Sequence, residues 1–390
     1  WNDRKNPPID FMNKEVTSKV LEQGPVRVSI EVTRKGRNSE ISQIISLSAG
    51  EAGRIIEVRN KIDWQSKEVS LKAAFPTTVV NEFATYSHNT AAIKRTTNNE
   101  VKFEVPGRQW IDITDRPNNY GVSILEDCKY GSDKPDNSTL RLTLMYTPKA
   151  NSYVYQGSQD WGIHDVKYGI YAHVGDWVYA KTPWKGSFLN NPLIAFEVPK
   201  HTGSLGKEVS MIKTNTHQVD VMAFKKAEET GYYIVRVNEL YGKSVNSVSI
   251  TLPGKIVDAY EVNGQEKRIA NADISDGNLN FNMTGFLMKS FAIKLENIAS
   301  PSAKPVQSVV ELPFNEDGMS FDTKRQDGNM EGGYSIPAEL LPSEIVSEDI
   351  RFVIGNRADG QMNMVAAKGQ KITLPTGNYN KVYILAGASE

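Results

Sequence analysis

The chain of 390 residues contains a single cysteine, Cys128, so no internal disulfide framework holds it together. Long apolar runs are also missing; none approaches the roughly 20 residues that a membrane-spanning helix requires. Neither sign of charge dominates. The 45 Lys and Arg nearly cancel the 46 Asp and Glu, and a net charge of −1 supplies no global field to draw nucleic acid or an anionic membrane. Neither GxGxxG nor GxxxxGK[ST] occurs, which removes the phosphate-loop signatures. Capped 3.6-residue periodicity is nearly absent, "IPAELLPSEI" being the one stretch that suggests a short helix.

What is present reads as β-structure. Apolar residues at 39% and charged residues at 23% fit a soluble protein with real cores. In "VRVSIEVTRKG", Val26, Val28, Ile30 and Val32 alternate with Arg27, Ser29, Glu31 and Thr33, the pattern of a half-buried strand. "TLRLTLMYTP", "VKYGIYAHV", "YYIVRVNEL", "NSVSITLP" and "KSFAIKL" repeat it between Gly and Pro turns. Many short strands of this kind predict sandwiches rather than an alternating α/β barrel. Composition shifts divide the chain into 1–203, 204–297 and 308–390, with a Ser/Pro/Ala-rich linker at 298–307. The chain begins at Trp1 rather than Met, and we expect it to be a piece of a longer protein.

Between Lys61 and Trp177 an ordered set of motifs stands out: "IDWQSKEVSLKAAFP", "ATYSHNTAAIKR", "FEVPGRQWIDITD", "YGVSILEDCKYG", "LRLTLMYTP" and "HDVKYGIYAHVGDW". In this order and spacing they resemble the C-terminal β-region of family 38 glycoside hydrolases, the α-mannosidases, over residues of about 15–295. The resemblance implies an all-β chain: a large antiparallel supersandwich of the galactose mutarotase type, then a smaller β-sandwich. It also implies a preceding (β/α) barrel and helical bundle in the same polypeptide, which hold the zinc ligands and the carboxylate nucleophile. Nothing in this chain matches those parts. The implied activity is retaining hydrolysis of terminal α-mannosides on glycans, which needs two carboxyl groups about 5–5.5 Å apart. Residues 308–390 resemble jelly-roll, galactose-binding-like modules attached to bacterial glycoside hydrolases ("PAELLP", "KGQKITLP", "YNKVYILA"), which suggests a bacterial source.

The candidate chemistry follows from these readings. His164 and His173 lie near Asp160, Asp165 and Asp176, but nine residues of strand set them roughly 30 Å apart at ~3.3 Å each. They cannot share a metal unless the strand bends sharply, so a strand with its turn is expected there and no metal or catalytic residue is assigned. Cys128 lacks a sequence-local His to stabilise a thiolate and reads as a half-buried strand residue. Trp110 reads as core, whereas Trp184 in "KTPWKGS" is the most loop-like of the tryptophans.

The substrate-binding candidates are Tyr86, His88, Asn89, Arg95 and Arg116. "YSHNTAAIKR" is polar and aromatic, as sugar sites are, and reads as a loop. Family members usually carry a glycine in this loop, which reaches toward the catalytic cleft; here Ala91 or Ala92 stands in that neighbourhood. Arg116 precedes a Pro-Asn-Asn turn and is expected at a loop tip. Two other classes fit the same composition: a free-standing carbohydrate-binding module, and a mutarotase-like sugar enzyme.

Overall fold

The computed structural model describes residues 15–99, 101, 103–149, 155–198, 208–296, 307–328, 330, 333–347, 350–377, 379 and 381–387. Most of the expected linker and the stretch around 203/204 lie outside those residues. Two compact units divide at Ile298/Ala299, and each is described by itself.

The first unit opens with β1 (Glu15–Gln23), β2 (Arg27–Gly36), β3 (Ser39–Ser48), β4 (Ile55–Trp64) and β5 (Val69–Pro76). It continues with β6 (Phe83–His88), β7 (Ala91–Thr96), β8 (Val105–Pro106), β9 (Trp110–Asp115) and β10 (Tyr120–Glu126). β11 (Gly131–Asp133), β12 (Thr139–Thr147) and β13 (Gly162–Val174) complete the large sandwich. Nine of these strands form one antiparallel sheet, in the order β1-β2-β3-β4-β13-β10-β9-β6-β7, and β5-β12-β11-β8 form the second. β2 is a strand, as its alternation predicts, and pairs with β3 without a shift from Arg27↔Ser48 to Gly36↔Ser39, but its apolar residues Val28 and Ile30 remain exposed rather than half-buried. Arg37 and Asn38 close this hairpin, both at positive φ (47° and 62°), the geometry that matches strand twist in a two-residue turn.

Between the two sheets lies a core that includes Ile62, Trp64, Tyr86, Ile111, Ile113, Ile124, Leu140 and Tyr168. On the other face of the nine-stranded sheet sits the one α-helix among the described residues, α1 (Thr182–Asn190). Sequence periodicity did not point to it: nine residues with a Trp-Lys-Gly centre give no apolar stripe, and only Pro183 in the first turn marks its start. The helix expected in "IPAELLPSEI" is instead a three-residue 3-10 turn, Ala338–Leu340. α1 lies very close to β9, since a Cβ on Gly186 would sit 3.2 Å from both Gln109 Cβ and Trp110 Cδ1. Covered by the second sheet on one face and by α1 on the other, β9 is buried at every position.

A second sandwich completes the unit, with β14 (Lys213–Thr214), β15 (Val219–Lys226), β16 (Tyr233–Glu239), β17 (Val245–Thr251) and β18 (Ile256–Val262). β19 (Arg268–Asn271), β20 (Asp273–Ser275), β21 (Asn278–Met283) and β22 (Met288–Leu295) follow. Its sheets run β14-β17-β21-β20 and β15-β16-β22-β18-β19 around Val235, Val237, Val248, Ile250, Leu279 and Phe291. Three contacts lock the sandwiches together. Trp184 of α1 donates to the His217 carbonyl (2.8 Å), Asn238 to the Thr90 carbonyl (3.1 Å), and Trp177 meets Tyr241 edge to face. Trp184 is therefore helical and anchored rather than a loop residue.

Among its described residues the second unit forms two short ladders, Met319–Ser320 parallel to Ile336–Pro337 and Glu344–Ser347 antiparallel to Ile350–Val353.

Candidate functional site

The five substrate-binding candidates do not form one site. "YSHNTAAIKR" is a β6–β7 hairpin rather than a loop, its strands pairing from Phe83↔Thr96 to His88↔Ala91. Tyr86 consequently points into the sandwich core, is 1% exposed, and cannot meet a ligand. Burial pushes its phenol up to about 12, and Arg95 lies over its ring at 4.9 Å. The Arg95 guanidinium donates to the Pro106 carbonyl at 2.5 Å, so it ties β7 to β8. A polar residue followed by an aromatic one looked like a sugar loop; strand register turned alternate members of the stretch inward.

His88 and Asn89 sit at the hairpin tip, where Asn89 takes a left-handed φ of 52°. Its side-chain oxygen accepts from Arg108 at 3.0 Å, and Asn238 of β16 clasps the neighbouring Thr90 carbonyl. This tip is thus part of the joint between the two sandwiches. Arg116 lies at the other end of β9. The register Thr85↔Asp112 and Tyr86↔Ile111 places His88 level with Gln109, roughly 23 Å from Arg116 at ~3.3 Å per residue.

Arg116 is exposed at the tip of the β9–β10 turn, as expected. The turn is well built. The two carboxylate oxygens of Asp115 accept from the backbone N–H and the side-chain amide of Asn118 (3.1 and 3.0 Å), which hold that carboxyl below its usual range. Asn119 at φ 55° closes the turn onto the Arg116 carbonyl.

The sequence reading missed a buried polar network. Asp112, Ser123 and His173 project from adjacent strands β9, β10 and β13, on the face that α1 covers. Asp112 accepts from Thr114 (2.6 Å), Ser123 (2.7 Å) and His173 Nε2 (2.8 Å), and Ser123 also meets Thr182 of α1 at 3.1 Å. The residue types suggest a nucleophile triad, but the geometry does not. A triad histidine faces its acid with one ring nitrogen and its serine with the other. Here Asp112 and Ser123 (3.1 Å) share Nε2, and Nδ1 has no partner among the described residues. The histidine cannot relay a proton between them, and the cluster acts as a polar staple under the helix. Only strand register brings these residues together, so no sequence spacing could have announced them. His164, at the far end of β13, bonds the Asp160 carbonyl at 3.1 Å, a turn-fixing role.

Nε2 of His173 is occupied by Asp112, and among the described residues no group of three or more His, Cys, Asp or Glu is placed to hold a metal ion. Cys128 is not a strand residue; it lies exposed in the bend after β10, where partial burial and a hydrogen bond to Asp127 raise its thiol to about 11. Glu126, at the end of β10, is a perturbed acid. It is buried, both carboxylate oxygens lack hydrogen-bond partners among the described residues, and desolvation aided by Asp127 lifts it well above the ordinary carboxylate range.

Two successive sandwiches, the first carrying a large and a small sheet, define an all-β region. Comparison with known proteins supplies the family. The family model described as "Glycosyl hydrolases family 38 C-terminal domain" matches residues 3–153, and "Glycosyl hydrolases family 38 C-terminal beta sandwich domain" matches 218–298. Residues 306–390 match the AziU2-like beta-sandwich domain, a different description from the galactose-binding-like module expected there.

Alpha-mannosidase G of Dictyostelium discoideum is 27% identical over 266 residues, which are 65% of this chain and 24% of that protein. The alpha-mannosidase of Saccharomyces cerevisiae is 27% identical over 268 residues, 63% of this chain and 24% of that protein. Alpha-mannosidase 2C1 of Mus musculus is 24% identical over 269 residues, 67% of this chain and 25% of that protein. The chain therefore spans about a quarter of the length of the curated relatives it matches. A family 38 glycosyl hydrolase from Enterococcus faecalis shares the fold at a TM-score of 0.58 and 16% identity, over 72% of this chain and 36% of that one. Residues 3–153 and 218–298 belong to the C-terminal β-region of glycosyl hydrolase family 38.

Proposed function

We propose that this chain is the non-catalytic C-terminal part of a retaining, zinc-dependent exo-α-mannosidase that removes terminal α-mannosides from glycans. Its role is to support a catalytic barrel of the same polypeptide and to line the substrate cleft with the Asp115–Asn119 turn. The observation that carries this reading is the ordered match of two family 38 C-terminal models to two consecutive sandwiches. The staple-like geometry of the Asp112–Ser123–His173 cluster supports the non-catalytic half of it. Zinc and the reacting carboxyl pair belong, on this reading, to residues outside this chain.

Of the five candidates, Arg116 combines exposure and a rigid mounting with a position away from the joint between the sandwiches, where the exposed Asn89 sits. His88 and Asn89 serve the joint between sandwiches, and Tyr86 and Arg95 serve packing. The test is hydrolysis of an aryl α-mannoside by the purified 390-residue chain and by the longest polypeptide of its reading frame. Activity is expected only in the latter, and Arg116→Ala there should raise KM while leaving the melting temperature unchanged. Cleavage by the 390-residue chain alone would overturn the proposal.

A further inference from the structure

The two sheets of the large sandwich differ in width, nine strands against four. Strand register shows what the mismatch leaves bare. Val20, Ile30 and Ile45 are successive cross-strand partners on β1, β2 and β3, and Ile45 is opposite the core residue Val58. One step along, Val28 pairs with Leu47 and Ile56 pairs with Ile170. Ile45 and Ile170 pack against the edge of the core, so these apolar residues continue it outward beyond the four-stranded cover. There the side chains emerge: Val20 is 54% exposed, Val28 48%, Leu47 42% and Ile30 41%. The reverse face of the same strands carries the row Lys19, Glu31, Ile44 and Arg59, charged at every position but Ile44. One face is apolar and the other largely charged, the pattern of a sheet built to be covered on one side.

We infer that this bare face of β1–β3 is the seat of the catalytic region of the same polypeptide. The inference rests on the function proposed above. Two observations select that occupant: the face is an unbroken extension of the sandwich core, and the relatives hold about three quarters of their length outside the matched stretch. A covering element would bury these side chains as the four-stranded sheet buries Val58 and Tyr168.

The test is labelling of Val20→Cys, Ile30→Cys and Leu47→Cys with a maleimide, in the 390-residue chain and in the longest polypeptide of its reading frame. Lys19→Cys and Glu31→Cys, on the reverse face, are the controls. The expected result is at least tenfold slower labelling of the three apolar-face positions in the longer polypeptide, with the controls unchanged. Hydrogen exchange of the β1 and β2 amides in the unmodified proteins reads the same protection if a variant does not fold. Equal labelling in both proteins would overturn the inference. So would a 390-residue chain that sediments as a dimer with these positions already protected, or a reading frame with no further chain. Mannosidase activity is read separately: an active enzyme with a bare face sinks the docking surface alone, whereas protection without activity sinks the functional reading alone.

Discussion

Replacing Glu126 by glutamine should remove a pH dependence from the stability of the first unit. In the fold the carboxyl is buried near Gly107, with no hydrogen-bond partner among the described residues, so its charged form is penalised. Desolvation, with a smaller contribution from Asp127, raises its folded pKa well above that of the unfolded chain. A raised acid keeps its proton in the fold while the unfolded chain releases it near pH 4.3. Stability from this group is therefore fully present below about pH 4.3 and is lost as pH rises towards the folded pKa. A single-proton difference changes stability by at most about 1.4 kcal/mol per pH unit, so the wild-type chain should lose stability as pH rises from about 5 towards the folded pKa, and Glu126→Gln should not. Urea unfolding followed by tryptophan fluorescence at pH 5, 6 and 7 measures it. Other titrating groups cancel in the difference between the two proteins, as does any constant cost of burying the amide. Identical pH slopes would show that Glu126 is solvated or paired, and would refute the reasoning.

Asp112→Ala strips three donors of their shared acceptor under α1, and should cost about 3 kcal/mol or more in thermal unfolding. Gly121→Ala places a methyl 2.5 Å from His173 Cε1, and overpacking of that kind should cost about 1–3 kcal/mol, visible as a lower urea midpoint. Cys128, although exposed, should alkylate about a hundred times more slowly than a free cysteine at neutral pH, because raising a thiol from 9.0 to about 11 removes that much thiolate. Iodoacetamide kinetics followed by mass spectrometry measure the rate.

The strands were legible because their side chains alternate, and alternation survives wherever one face meets solvent or a thin cover. β2 and β3 follow this rule, and the two sandwiches followed from it. Sequence said less where both faces are buried. β9 presents Asp112 and Thr114 on the same face as Trp110, and no period-2 reading distinguishes a buried polar staple from a solvated edge. The hairpin of "YSHNTAAIKR" misled for the opposite reason: its polar residues suggested a loop, whereas register sends Tyr86 inward. Arg116 was placed correctly because Pro117-Asn118-Asn119 is a turn in almost any context. α1 escaped because its helicity comes from packing on β9, not from its own sequence.

The way α1 leaves the large sandwich bears on how such enzymes exchange parts. Trp184 faces forward to His217 while Gly186 is wedged back against Gln109, so one short helix serves both sandwiches. A recombination event falling between them would orphan the indole donor and the Thr90 clasp, and the hybrid would inherit a loosened hinge. Shuffling among related hydrolases should therefore transfer both sandwiches as a single cassette.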